Sequence, residues 1–312
     1  MRNSPKKSRP ATLTYADRIN RAIDHVLQHL DEPLRLETVA RAACFSPFHF
    51  HRIFRALMGE SLADFVKRAR LERAVALLTQ KDWKVQRRLS LTDIALACGF
   101  SSSADFSRSF RQRYGVAPSR FDVESFRTKR RDKWEAVAAP PAGRHLLKRL
   151  PRGKNPDGFV VRVRRLPPRT IAYLRVADSY REGVVVRAIE RMVKWAEARG
   201  LADGQWLGYS WDDPEIVPPE LCRYDVGLEV PDVKPEGEIS RIVFPAMHVA
   251  ELEIRGGIDL EMRALDWIFS TWLPTSGYVP AELPCFEAWI GRPFAHGMEH
   301  FEILVQIPVQ RG

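Results

Sequence analysis

Residues 34–60 read LRLETVARAACFSPFHFHRIFRALMGE, and residues 91–115 read LTDIALACGFSSSADFSRSFRQRYG. The second stretch is a copy of the first. Leu36, Val39, Ala40 and Phe45 recur as Leu91, Ile94, Ala95 and Phe100, at a spacing of 55. Ser46, Phe50, Arg52, Phe54, Gly59 and Phe65 recur as Ser102, Phe106, Arg108, Phe110, Gly115 and Phe121 at 56, so the second turn holds one more residue. Apolar, capping and glycine positions that repeat together mark a duplicated structural unit. Each copy is predicted to be helix, tight turn, helix.

In the first copy Ser46 suits an N-cap and Pro47 the first helical position. Phe50, Ile53, Phe54 and Leu57 then form an apolar stripe, and Phe48, His51, Arg52 and Arg55 fall on another face. In the second, Ser102 caps with Asp105 three residues on, the spacing of a capping box. Phe106, Phe110 and Tyr114 turn inward there; Ala104, Ser107, Arg108 and Arg111 turn outward. Arginine forks onto guanine or grips phosphate, and short neighbours let a helix approach base edges. Solvated arginines would be the plain reading of one such helix. Two helices with arginines at equivalent positions point to DNA. The candidate contacts are Ser46, Phe48, His51, Arg52, Arg55, Ser102, Ser103, Ala104, Ser107, Arg108 and Arg111. Between the copies Ser61 to Thr79 reads as a single helix, about 28 Å long at 1.5 Å per residue. That is near the ~34 Å between successive major grooves on one side of a duplex.

These motifs resemble the DNA-binding domain of AraC/XylS regulators over about residues 15–127. The resemblance implies an all-α double helix-turn-helix domain of about seven helices, with units at about 34–59 and 89–115. It also implies double-stranded DNA as partner, contact with RNA polymerase and an activator's role. By position the base readers would be Phe48, His51 and Arg52 in one helix, and Ser103, Ala104, Ser107 and Arg108 in the other.

Charge agrees with that division. Residues 1–158 hold 32 Lys+Arg against 16 Asp+Glu, whereas residues 159–312 hold 17 against 23, so only the first half suits a polyanion. Residues 1–14 read as a flexible basic tail. The Pro-, Gly- and Arg-rich run 128–158 reads as an exposed tether, with RTKRR (127–131) placed to touch phosphate. Cys44, Cys98, Cys222 and Cys285 are scattered, which argues against disulfides or zinc; Cys44 and Cys98 read as small buried thiols. With no apolar run of membrane length and no signal-peptide pattern, a cytoplasmic protein is expected.

From residue 159 the pattern changes to alternating, strand-like segments near 159–165, 171–176, 223–230, 240–244, 247–254, 285–290 and 301–309. Helices are expected at about 183–199 and 259–273, ended by Gly200 and opened by Asp259. The result is an α+β domain of two pseudo-symmetric β-β-α-β units over 159–312. This half resembles the GyrI-like effector-binding domain, and the two halves together resemble the right-origin-binding type of regulator. The resemblance implies a groove for lipophilic, cationic compounds with a strand glutamate as charge partner, a position that Glu287 matches. Strand alternation puts Cys285, Glu287 and Trp289 on one face. Tyr173, Tyr209, Trp211, Tyr224, Trp267 and Phe301 complete the candidate walls, each with plain core packing as its alternative. No cofactor, catalytic group or metal is expected; His296 and His300 lack a metal-binding order. Two other readings stay open: a protein-contact module, or a hydrolase that uses Glu287 as a base.

Overall fold

Hydroxyl caps and glycine stops delimit the repeat. The computed structural model describes residues 14–78, 81–82, 87–138, 150, 153–231, 234, 236–295, 297 and 300–312. Its first elements are α1 (Tyr15–Gln28), α2 (Leu36–Ala42), α3 (Pro47–Met58), α4 (Leu62–Leu77), the two-residue strands β1 (Lys81–Asp82) and β2 (Arg87–Arg88), α5 (Leu91–Ala97), α6 (Ser103–Tyr114) and α7 (Val123–Ala138). These are the expected seven helices, counted among the described residues. Ser46, Ser61 and Ser102 each accept the backbone N–H three residues on. α3 and α6 both end on a left-handed glycine, Gly59 at φ 74° and Gly115 at φ 80°. The reciprocal capping box is made by Ser90 and Asp93 at α5. At α6 the Asp105 carboxylate instead accepts from Ser101 Oγ at 3.4 Å, so the box expected at Ser102 is only half made.

α4 is shared by both units. Its first turns (Leu62, Phe65, Val66, Ala69) pack with Val39, Phe50 and Phe54, and its last (Leu71, Ala74, Val75) with Ile94, Phe106 and Phe110. Its 16 residues span about 24 Å, shorter than expected; Thr79 lies outside the described residues. Leu57, expected in the apolar stripe, is exposed. Both turns need a left-handed residue, Cys44 at φ 56° and Gly99 at φ 76°. A Cβ on Gly99 would lie 2.2 Å from the Leu30 carbonyl oxygen, so glycine is required there. Cys98 is buried as expected, but Cys44 is exposed, because the left-handed turn carries its side chain outward.

The second half holds β3 (Arg162–Leu166), β4 (Arg169–Ala177), α8 (Val184–Glu197), β5 (Trp206–Ser210), β6 (Arg223–Glu229), β7 (Ser240–Phe244), β8 (Met247–Gly256) and α9 (Ile258–Trp267). A π-helical turn (Ile268–Trp272), α10 (Leu273–Ser276), β9 (Tyr278–Pro280), β10 (Cys285–Trp289) and β11 (Phe301–Arg311) follow. The antiparallel sheet runs β3-β8-β11-β10-β5-β6-β4-β7, with β9 also on β11. Exchanging β3 with β7, β4 with β8, β5 with β10 and β6 with β11 reverses this order without changing it. The two units are therefore related by a pseudo-twofold between β5 and β10, and each unit's first strand is handed to the other's half. β5 is the strand missing from the sequence reading, so each unit is β-β-α-β-β. α8 and α9 cover one sheet face, over Leu174, Trp206, Leu228, Leu252 and Val305. Ile171, Tyr173, Leu207, Tyr209, Phe244 and Phe286 form a second core on the opposite face.

The two halves are locked together. α1 gives Ile19, Ala22, Ile23 and Val26 to the first helix-turn-helix core and turns Asp17 and Asp24 to the sheet. Ser240 Oγ donates to Asp17 at 2.8 Å, and the Tyr173 hydroxyl donates to Asp24 at 2.5 Å. Arg175 bridges Asp24 at 2.8 Å and Asp225 at 2.6 Å. The β5–β6 loop inserts Ile216 into the core of the second helix-turn-helix.

The tether therefore does not begin at 128. Residues 123–138 are helix α7, and two of the basic residues expected to meet phosphate face the other domain. Arg127 pairs with Asp213 at 3.0 Å and Glu215 at 2.8 Å, and Arg131 with Asp266 at 3.2 Å. Trp134 is buried against Tyr180, ring centroids 5.7 Å apart. Charge density alone reads as a solvated run; the i, i+4, i+7 spacing of Arg127, Arg131 and Trp134 is that of a docked helix face. Residues 1–13 and 139–149 lie outside the described residues.

Candidate functional site

The first site is the pair of faces on α3 and α6. Phe48 is 68% exposed although aromatic, and His51, Arg52 and Arg55 are exposed beside it. The Arg52 guanidinium lies 5.9 Å from the Phe48 ring centroid. On α6, Ala104, Arg108 and Arg111 are exposed, and Ser103 and Ser107 half-buried. The side chain of Arg108 is 76% accessible and reaches Asp105 only at 3.8 Å. The caps Ser46 and Ser102 are exposed at the same ends. The cationic rims contrast with the arginines behind them: Arg68 is held by Glu60 at 2.6 Å and Glu72 at 3.1 Å, and Arg113 by Glu72 at 3.2 Å. Those pairs fix α4 against α6, and among the described residues the outward arginines have no strong intramolecular partner. Between the helices lies an open cleft of about 470 Å³, with His51 on one wall and Asp105 and Ser109 on the other. Arg70 braces the base of α4, donating to the carbonyls of Leu30 at 2.9 Å and Glu32 at 2.7 Å.

The second site lies on the helix-covered face of the sheet. Glu287 projects from β10, and the Tyr224 hydroxyl on β6 donates to its Oε2 at 2.5 Å. Gly208 on β5 is the register partner of Glu287. A Cβ there would fall 1.6 Å from the Tyr224 oxygen, so the glycine makes room for this contact. Burial pushes the Glu287 carboxyl above the usual range, with the Tyr224 hydrogen bond acting against it. Trp289 packs on Phe294 and Phe301, and Trp267 on Phe159. Among the predicted residues, Glu287, Trp289, Tyr224, Trp267 and Phe301 thus share this face.

Tyr173, Tyr209 and Trp211 do not. They belong to the opposite core, and Tyr173 faces Asp24 of α1. The reason is strand parity: Tyr209 is opposite Phe286, and Tyr173 opposite Gly227, so each points away from Glu287. Sequence reasoning also missed Glu261, which is buried on α9, and Tyr180, whose phenol pKa is raised by burial and by the charge of Glu287 among others. The signal for Glu261 was a carboxylate in register with Ala264 and Ile268 on an apolar helix stripe. His296 lies outside the described residues, and His300 meets Glu302 at 3.8 Å. Among the described residues no metal-binding cluster is found, and no helix is long and apolar enough to cross a membrane.

A double helix-turn-helix unit joined to an α+β domain with a buried carboxylate defines a two-domain regulator class. Residues 39–122 match a helix-turn-helix domain family, and residues 159–310 match the GyrI-like small molecule binding domain. The chain is 35% identical over 91 residues to the probable transcription factor PqrA of Proteus vulgaris, covering 29% of this chain and 70% of that protein. It is 32% identical over 92 residues to the regulatory protein SoxS of Escherichia coli K12, covering 30% and 80%. With the HTH-type transcriptional regulator YbfP of Bacillus subtilis it shares 33% over 107 residues, and this match spans about a third of each chain, 34% and 34%. The chain belongs to the AraC/XylS family and carries a C-terminal GyrI-like domain.

Proposed function

We propose that this chain is a DNA-binding transcription regulator that lays α3 and α6 into adjacent major grooves of one duplex. A small, lipophilic cation held at Glu287 is its effector. Residues 14–138 form the DNA-binding domain and residues 159–312 the effector domain; the protein acts in the cytoplasm, as an activator that touches RNA polymerase. One observation carries the reading: two repeat-equivalent helices expose arginines at matching positions, while the arginines behind them are paired. The shared rod α4 supports it, since it holds both helices in one frame. Phosphate would be gripped by Arg55, Arg111 and the capped ends of the helices, and base edges read by His51, Arg52, Ser107 and Arg108.

Footprinting on genomic fragments with wild type and Arg52→Ala tests the first half. The variant should lose about 1–3 kcal/mol at one base position and relax specificity there. An equal loss on every sequence would reduce Arg52 to a phosphate contact. For the second half, tetraphenylphosphonium binding is measured with wild type and Glu287→Gln. Because the Glu287 carboxyl titrates above the ordinary range, cation binding should weaken on acidification sooner than an exposed carboxylate would give. Absence of saturable binding by any such cation would favour a protein-contact role for this domain.

A further inference from the structure

The two helix-turn-helix cores are closed differently. Among the described residues, the buried core of the first is drawn from residues 19–69 alone. That of the second comes from residues 71–123 and one distant side chain, Ile216 of the β5–β6 loop, which is 3% exposed. Phe106 and Phe110 of α6 belong to the same cluster. Arg127 of α7 clasps the loop from outside, through Asp213 at 3.0 Å and Glu215 at 2.8 Å. The core beneath the second reading helix therefore includes a side chain that the effector domain supplies.

That loop is stiff. Asp212 accepts from the Arg223 backbone N–H at 2.8 Å and from its guanidinium at 2.8 and 2.6 Å, and the Ser210 hydroxyl donates to the Arg223 carbonyl at 2.8 Å. These bonds tie the two ends of the loop together. Inside it the Asp213 carbonyl accepts from the N–H groups of Ile216 at 2.8 Å and Val217 at 2.7 Å. Both strands that carry the loop adjoin Glu287: Gly208 of β5 is its register partner, and Tyr224 of β6, next to Arg223, donates to its Oε2. A loop bonded in this way moves with its strands, and a wedge in a close-packed core passes displacement on. The hairpin also meets the first unit, with Arg223 5.7 Å from the Phe65 ring centroid and Asp225 reaching Asp24 through Arg175. Those are contacts of charged side chains, and neither places an apolar group in the first core.

We propose that Ile216 is a positioning residue for α6, and that the β5–β6 hairpin carries the occupancy of Glu287 to the second reading helix rather than the first. The second clause rests on the reading of the domain as a cation sensor and supplies its output. A cation at Oε2 competes with the Tyr224 hydroxyl. β6 and its loop follow Tyr224, and the seat of Ile216 beneath α6 changes. The half of the DNA site read by α3 is then bound alike in both states, and the half read by α6 is not.

The test measures affinity of the full chain for a footprinted site and for the same site with the α6 half scrambled, with and without tetraphenylphosphonium. On wild type, saturating cation should change affinity for the intact site at least about fivefold and for the scrambled site less than about twofold. By linkage the intact site should change tetraphenylphosphonium affinity by the same factor. Without any cation, Ile216→Ala should weaken the intact site about tenfold, the worth of one well-placed base contact, and Ile216→Val should restore most of it. The scrambled site should lose little, whereas mere loss of stability would weaken both sites alike. An equal cation effect on the two sites overturns the hairpin's role and needs no variant. Equal losses from Ile216→Ala overturn the positioning role. If tetraphenylphosphonium does not bind the wild type, the cation reading fails and the hairpin's carrying role falls with it; the cation-free comparison still decides on Ile216.

Discussion

Replacing Arg175 with Met removes the positive centre of the interdomain lock while keeping a long side chain. In the wild type the guanidinium meets Asp225 through two bonds, at 2.8 and 2.6 Å, and Asp24 at 2.8 Å, with its side chain 5% accessible. Arg175→Met leaves two buried carboxylates facing each other without the cation that bridges them, and Arg223 acts on Asp225 only through its field. Removing one member of a buried ion pair costs about 3–5 kcal/mol. For a chain of 312 residues each kcal/mol is worth roughly 1.5 °C, so the unfolding midpoint should fall by about 5–8 °C. The loss should also depend on pH. Asp225 already titrates above the usual range because of burial, with Arg175 opposing that shift. Without Arg175 its folded pKa rises further, and a raised carboxyl pKa disfavours folding only above the unfolded value near 4. The deficit of the variant should therefore shrink as pH falls toward that value. Scanning calorimetry of both proteins across that range reads the difference. A midpoint within about 2 °C of wild type, or a deficit that is flat with pH, would refute the account of a charged lock.

Other substitutions probe single features. Gly208→Ala puts a methyl group where the Tyr224 hydroxyl lies; overpacking should cost about 1–3 kcal/mol in melting experiments and abolish the Tyr224–Glu287 contact, weakening cation binding. Ser90→Ala removes the reciprocal cap of α5 and should cost about 1 kcal/mol, read as a lower unfolding midpoint. Gly59→Ala and Gly99→Ala separate backbone strain from collision: both positions are left-handed, but only Gly99 meets a carbonyl oxygen, so Gly59→Ala should cost about 1–2 kcal/mol and Gly99→Ala clearly more by denaturant titration. Similar losses at the two positions would mean that the turn at Gly99 relaxes freely.

The helical half was legible because its signals are local. Ser46, Ser61, Ser102, Gly59 and Gly115 act within a turn of where they stand, and a duplicated pattern checks itself. α7 was misread from residue 128 on because its face is completed by partners far along the chain, Glu215 and Asp266. β5 escaped notice for a related reason: Gly208 at its centre weakens its strand pattern, and that glycine is explained only by Tyr224 sixteen residues later. Glu287 and Tyr224 were both named, but their contact was not, since the register between β5, β6 and β10 is a property of the sheet. Parity misled for Tyr173 and Tyr209, whose aromatic rings look alike in sequence whichever side of a strand they occupy.

The handing over of β3 and β7 bears on how the effector domain comes into being. Among the described residues β3 borders only β8, which is made some eighty residues later, and β8 closes against β11. On a ribosome the first unit emerges with its leading strand lacking any template. The half-domain lacks its native pairing until β11 is synthesised. Truncation before β11 should therefore abolish the whole domain rather than trim it.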